Sequence, residues 1–182
     1  MELVNTDEAM PKQARQAIAE LHDRFGELTK SIKAFEVAIV AHARSDATAR
    51  RLATIPGIGP ITASLIAATV VDISRFKTAR QFAAWLGLVP RQNSTGGKTH
   101  LGRITKAGNR EIRKLLVLGA TSMVGRAEGW HSAVGSWLRD ILQRRPVRLV
   151  TVALANKMAR IAWAVMTRNE VYRPMGGVAA KA

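Results

Sequence analysis

The sequence predicts an all-α protein: a long N-terminal coiled-coil-like helix, then a helical domain containing a helix-hairpin-helix and a basic Ser/Gly loop. Three observations predict it. Between residues 12 and 45 apolar side chains recur at alternating spacings of three and four, the period of a helix face. Beyond residue 46, apolar stretches of helical length are punctuated by Pro and Gly, which open and close helices. The segment 88–106 is instead polar, glycine-rich and cationic, the composition of a loop.

Taken in order, residues 1–11 read as a disordered leader ending at Pro11. The next stretch, 12–46, has no proline, a single glycine (Gly26) and many Ala, Glu, Lys and Arg residues, which favour helix. Ile18, Leu21, Phe25, Leu28, Ile32, Phe35 and Ile39 form an a/d seam of about three heptads. Such a stripe is narrower than the face a globular helix buries in its own domain, so this helix is expected to pair chains into a homo-oligomer. Asp46 or Thr48 is placed to cap a short helix, Ala47 to Thr54. Ile55-Pro56-Gly57-Ile58-Gly59-Pro60 then leads into the helix ITASLIAATV, with Pro60 in its first turn. Residues 72–76 connect to a helix from Thr78 to Leu86, ended by Gly87. Segment 88–106, LVPRQNSTGGKTHLGRITK, reads as a loop with a short hairpin around Gly96-Gly97. Helix resumes from Ala107 to Val124, with Ile112, Leu115, Leu116 and Gly119 on one side, and again from His131 to Gln143. Pro146 interrupts, and Val147 to Thr167 is the last long helix. These elements make one helical domain, 47–172, followed by a disordered tail, 173–182.

Composition narrows the function. At 182 residues, 47% hydrophobic and 23% charged, the chain buries a core and is not wholly disordered. With no cysteine, disulfide scaffolds, Cys-based zinc sites and Cys nucleophiles are excluded. The net charge of +15 is unevenly spread. Residues 1–74 hold 8 Lys and Arg against 9 Asp and Glu, a net of −1. Residues 75–182 hold 20 against 4, a net of +16. A surface this basic calls for a polyanion, and nucleic acid is the first candidate. The apolar run from Ile61 to Val71 is too short to span a bilayer, and Lys157 and Arg160 interrupt the longer one from Leu149 to Met166. MELVNTDEAM lacks the basic and apolar regions of a signal peptide, so a cytoplasmic location is expected.

Four motifs bear on chemistry. The turn Gly57-Ile58-Gly59, followed by a helix with Thr62 near its start, has the pattern of a helix-hairpin-helix. Glycine admits close approach, and the free N–H groups of the following helix face a phosphate. In the loop, Gly97-Lys98-Thr99 ends like a phosphate-binding loop, but Gln92 stands where that motif needs glycine. What remains is Ser94 among Arg91, Lys98, Arg103 and Lys106. A serine among cations suits attack on a phosphodiester, because the cations favour the alkoxide and offset charge building on phosphorus. His100 is the nearest candidate base. Further on, Arg110, Arg113 and Lys114 share a face by i, i+3, i+4 spacing, which reads as a phosphate clamp. Asn156, Lys157, Arg160 and Trp163 mark the last helix, and Trp130, Trp137 and Trp163 read as core or interface. His22, His42, His100 and His131 are far apart, and only Glu111, Glu128, Asp140 and Glu170 follow residue 74, with Asp72 just before it. Metal-ligand sets and two-metal nuclease chemistry are not supported within this chain.

The run LATIPGIGPITASLIAATVVDISRFKTARQFAAWLGLVPRQNSTGGKTHLGRITKAGNREIRKLLV resembles the C-terminal domain of bacterial insertion-sequence transposases of the group called IS one-ten. The run VALANKMARIAWAVM resembles its sister group, IS eleven-eleven, in particular. The likeness covers about residues 50–172, and the 12–45 helix resembles the family's connecting coiled coil.

The resemblance implies more than the residues show. Members of that family carry an N-terminal RuvC-like domain with four acidic, metal-binding residues, then a coiled coil, then a C-terminal domain with a nucleophilic serine. They cut and rejoin DNA as oligomers, and some are guided by a structured RNA. The family serine lies in the Ser- and Gly-rich loop after the LGLVPRQ-like segment, a position that falls on Ser94, with Thr95 as its neighbour. Residues 1–11 cannot hold the acidic domain, so the chain is expected to be the C-terminal half and not to recombine DNA alone. It is expected to need no cofactor of its own, a divalent metal belonging with the missing domain. The implied partners are DNA, a structured guide RNA and further copies through the 12–46 helix, at the bacterial nucleoid and not at a membrane. The rival reading is a non-catalytic helix-hairpin-helix nucleic-acid-binding module. The two part on one observation, a covalent protein–DNA adduct that needs Ser94.

Overall fold

The computed structural model describes residues 11–95, 98–130 and 132–174, and of residues 94, 95, 98 and 99 the backbone alone. Residues 1–10 of the expected leader, the expected tail beyond Pro174, the Gly96-Gly97 turn and His131 lie outside the described residues. The chain divides into two units, residues 1–41 and 42–182. The described part of the first is one helix, α1 (Lys12–Ser45), whose last turn belongs to the second unit. Gly26 does not break it, and nothing lies within 4 Å of where its Cβ would be. The expected a/d seam runs along it uncovered: Leu21, Phe25 and Phe35 are 70%, 71% and 69% exposed.

In the second unit the last turn of α1 is anchored by buried Ala43 and by His42, whose Nδ1 lies 2.9 Å from the Ser64 hydroxyl. Asp46, not Thr48, caps α2 (Ala47–Leu52), its carboxylate accepting from the Ala49 N–H. The hairpin turn leads into α3 (Pro60–Thr69), with Gly59 as an extended N-cap and Pro60 at the first helical position, where its missing N–H has no cost. A single 3-10 turn, Ile73–Arg75, follows, and Asp72 caps it by accepting from the Ser74 N–H at 2.9 Å. Thr78 caps α4 (Ala79–Trp85) in the same way. Phe76, Phe82 and Trp85 pack ring on ring at centroid distances of 5.1 to 5.8 Å.

The segment expected to be a loop is a two-stranded antiparallel ladder, β1 (Pro90–Thr95) on β2 (Lys98–Ile104). The short hairpin foreseen there is thus 6 and 7 residues per strand. Helix α5 (Arg110–Val124) starts three residues later than the pattern suggested. Gly108 takes φ +75°, closed to a helix, and Asn109 is the N-cap, accepting from the Ile112 N–H at 2.9 Å. A 3-10 turn (Ala127–Gly129), α6 (Ala133–Leu142) and α7 (Val147–Arg168) complete the order.

Helix α7 is the axis of the core. Val150, Leu154, Met158, Ala162 and Val165 follow the helical period and are buried. They pack against α5 and α4, with α2 and α6 alongside. By length and composition α7 would cross a bilayer, but half of its most apolar stretch is buried in the unit. Its indole Trp163 donates to the Phe76 carbonyl at 2.9 Å, tying the helix to the aromatic cluster. Beyond α7, Asn169 in the left-handed conformation accepts from Arg51, and the Tyr172 N–H donates to the Thr54 hydroxyl. The chain after α7 is thereby fastened to the start of the hairpin turn.

Candidate functional site

The hairpin grows from a stem closed by backbone. The Thr105 N–H donates to the Val89 carbonyl at 2.9 Å and the Lys106 N–H to Gly87 at 3.1 Å. Gly87 and Gly108 both have positive φ, and a Cβ on either would collide with the opposite strand of the stem: the Ala107 backbone for Gly87, the Trp85 carbonyl for Gly108. Only hydrogen fits at both places. Two side chains from the core reinforce the stem. The Arg113 guanidinium donates to the Leu86 and Ala107 carbonyls at 2.9 and 3.0 Å, one from each side. The Asn156 amide, from α7, donates to the Leu88 carbonyl at 3.1 Å.

Above this stem the register pairs Pro90 with Ile104, Gln92 with Leu101, Asn93 with His100 and Ser94 with Thr99, with an irregularity between Pro90 and Gln92. His100 therefore stands opposite Asn93, one rung away from Ser94, and successive rungs belong to opposite faces of a ladder. Arg91, Arg103 and Lys106 are exposed, Lys106 at φ +56°. The Ser94 and Lys98 side chains lie outside the described ones.

The helix-hairpin-helix turn is built against α5. A Cβ on Gly119 would meet the Gly57 carbonyl, and one on Gly57, at φ +82°, would come within 2.6 Å of the Met123 sulfur. The turn and the end of α5 enclose a concavity of about 460 Å³, with Ser122, Arg126 and Trp130 on its far wall. Gly59 is exposed, whereas Ile58 and Thr62 are 3% and 6% exposed and belong to the core. Arg126 has no signature in the sequence, because its place beside the turn depends on where α5 ends.

The expected clamp on α5 divides. Arg110 and Lys114 are exposed, but Arg113 is half-buried and faces back to the stem. On α7, the Lys157 ammonium lies 4.3 Å from the Trp137 ring centroid, a cation–π contact. Burial, then the Arg160 charge, pushes its pKa below the usual lysine value. Among the described residues only Arg24–Glu27 and Arg75–Asp72 form ion pairs, so the excess of cations after residue 74 is hardly neutralised from within. No group of three His, Asp or Glu residues converges among them to hold a metal.

In sequence the chain is similar to known transposases. The family model described as Transposase IS116/IS110/IS902 family matches residues 49–135, which run from α2 through the hairpin into α6. A probable family 20 transposase of Pseudomonas aeruginosa is 48% identical over 91% of this chain and 49% of its own length. The transposase for insertion sequence element IS1328 of Yersinia enterocolitica is 41% identical over 93% of the chain and 51% of its own. The transposase for insertion sequence element IS1111A of Coxiella burnetii is 40% identical over 79% of the chain and 40% of its own. The chain thus spans about half the length of these curated relatives. The helical unit that carries the hairpin turn and the basic ladder, matched by the family model over residues 49–135 and by these relatives over most of the chain, thus corresponds to a portion of an IS116/IS110/IS902 family transposase.

Proposed function

We propose that this chain is the DNA-handling part of an insertion-sequence transposase and that Ser94 is its nucleophile in DNA cutting and rejoining. The observation that carries the reading is the hairpin. A ladder flanked by the exposed cations Arg91, Arg103 and Lys106 is held by a stem that tolerates no side chain at Gly87 or Gly108. Such a scaffold presents one backbone position to a phosphodiester repeatedly in the same place. In the step, a base takes the Ser94 hydroxyl proton, Oγ bonds to phosphorus, and the DNA oxygen leaves and takes up a proton. The product is a phosphoserine diester. Attack by the hydroxyl of a DNA end reverses the exchange and returns the serine. One P–O bond replaces another, so no nucleotide is consumed. Arg91, Lys98, Arg103 and Lys106 offset the charge growing on phosphorus. Gly57 and Gly59 hold a second stretch of backbone, and Arg110 and Lys114, which follow Lys106 closely in sequence, add to the hairpin's cations. In this reading the general base and the divalent metal come from an acidic RuvC-like half, chains pair through α1, a structured RNA selects the target, and the protein works at the nucleoid.

A denaturing-gel trapping assay tests the reading. The chain is mixed with nicked element-end DNA, with and without the acidic half and RNA of a full-length relative, beside Ser94→Ala. A slow-migrating adduct that disappears in Ser94→Ala is the expected result. DNA binding with no adduct in any mixture would overturn the serine role. The net charge of +16 on residues 75–182 also fits one second reading, a non-catalytic nucleic-acid-binding module, and this same outcome would establish it.

A further inference from the structure

The corner between α6 and α7 carries charge that neither the hairpin nor the turn uses. Arg144 and Arg145 follow the last turn of α6, and Arg148 lies in the first turn of α7. All three are exposed. The Arg144 Nε donates to the Asp140 backbone carbonyl at 3.3 Å. Arg145 and Arg148 make no side-chain hydrogen bond or ion pair among the described residues. The first turn of α7 holds no acidic residue, and Pro146 gives no side-chain cap. Cations at this end of a helix oppose its dipole and lower its stability. For Arg148 folding therefore supplies no reason, whereas Arg144 and Arg145 stand at the C-terminal end of α6, where cations suit its dipole. The corner also has no aromatic residue between Leu142 and Val150 on which a base could stack, which is unlike a single-strand or loop-RNA surface. Guanidinium groups without stacking partners suit the phosphates of a duplex.

The position fits as well. Arg148 and Asn156 are eight residues apart on one helix, about 12 Å along its axis. Asn156 holds the hairpin stem. The corner and the residue that supports the hairpin thus lie on one rigid helix, a separation that a single duplex spans.

We propose that Arg144, Arg145 and Arg148 form a second docking surface for the phosphate backbone of duplex DNA, separate from the hairpin and the helix-hairpin-helix turn. It rests on the DNA-handling reading above but not on the serine chemistry.

The test uses the whole chain and a mixed-sequence 30-base-pair duplex, with affinity measured by fluorescence anisotropy across salt concentrations. Arg144→Gln, Arg145→Gln and Arg148→Gln are combined in one variant. Lys12→Gln, Lys30→Gln and Lys33→Gln on α1 make a control with the same loss of charge. The corner variant is expected to lower the slope of log K against log salt by about 2 to 3, one phosphate contact per arginine, and the control by clearly less. Its thermal midpoint should change little, since Arg148 leaves the positive end of α7 while Arg144 and Arg145 leave the negative end of α6; if the triple variant does not fold, the pair Arg145→Gln and Arg148→Gln is read instead. Replacing all three by lysine should keep the slope. Equal slopes for corner and control variants would overturn the proposal. So would a loss confined to duplex RNA or to anionic phosphatidylserine vesicles, with DNA unaffected. If the unmodified chain shows no salt-dependent DNA binding, the DNA-handling reading falls and this proposal with it; an intact slope in the corner variant removes this proposal alone.

Discussion

At Gly108 the difference between hydrogen and methyl decides whether the stem closes. Its φ is +75°, and a Cβ there would drive into the Trp85 carbonyl, so no rotamer change relieves the contact. Gly26 is the opposite case, a glycine inside a helix with open space around it. Gly108→Ala should lower unfolding free energy by about 2 to 4 kcal/mol, and Gly26→Ala should leave it unchanged or raise it by up to about 1 kcal/mol, both read from urea denaturation. Equal effects would mean that the stem is not tightly closed. The same scale shows why the site was only partly legible in the sequence. Spacing placed Arg110, Arg113 and Lys114 on one face, and nothing local reveals that Arg113 turns back to two carbonyls, one of them 27 residues away. Ile58 and Thr62 read as part of a phosphate-facing turn because the motif is named by its glycines. Their burial depends on α5 lying against the turn, a long-range fact that no local pattern encodes.

At the scale of elements, most of the helices were legible because each has a chemical start or stop. Asp46, Thr78, Asn109 and Ser132 all accept from an N–H of the turn that follows. The ladder was foreseen only as a short hairpin in a loop. Its strands lack the apolar alternation that marks a half-buried sheet, since Arg91, Gln92, Asn93, His100, Leu101, Gly102 and Arg103 are all exposed. Its backbone pairing and the tie from Asn156 to Leu88 define it, and that tie spans 68 residues. Helix α1 was legible from its seam. Seven apolar residues in heptad register, six of them exposed, are costly to leave in water. If they pair chains, Leu28→Lys should convert an oligomer to a monomer in sedimentation without unfolding the second unit. An unchanged mass would remove α1 as the pairing surface.

For the whole molecule the dominant quantity is charge. Residues 75–182 carry +16, and among the described ones Asp72 alone pairs with a cation of that half. Self-repulsion of that size lowers the stability of the free chain. Moderate salt should therefore raise the thermal midpoint of the free chain while it weakens DNA binding, opposite signs from one cause. Calorimetry from 50 to 300 mM salt checks the first sign, and a falling midpoint would show that the charges are compensated in some other way. The closed stem has a consequence of its own for how such a molecule changes over generations. Backbone bonds seal the ladder from the helices at Gly87–Val89 and Thr105–Gly108. Residues added or exchanged at the tip leave the packing below the seal undisturbed. Tip and body can thus accumulate substitutions at independent rates, with the two glycines as the fixed boundary between them.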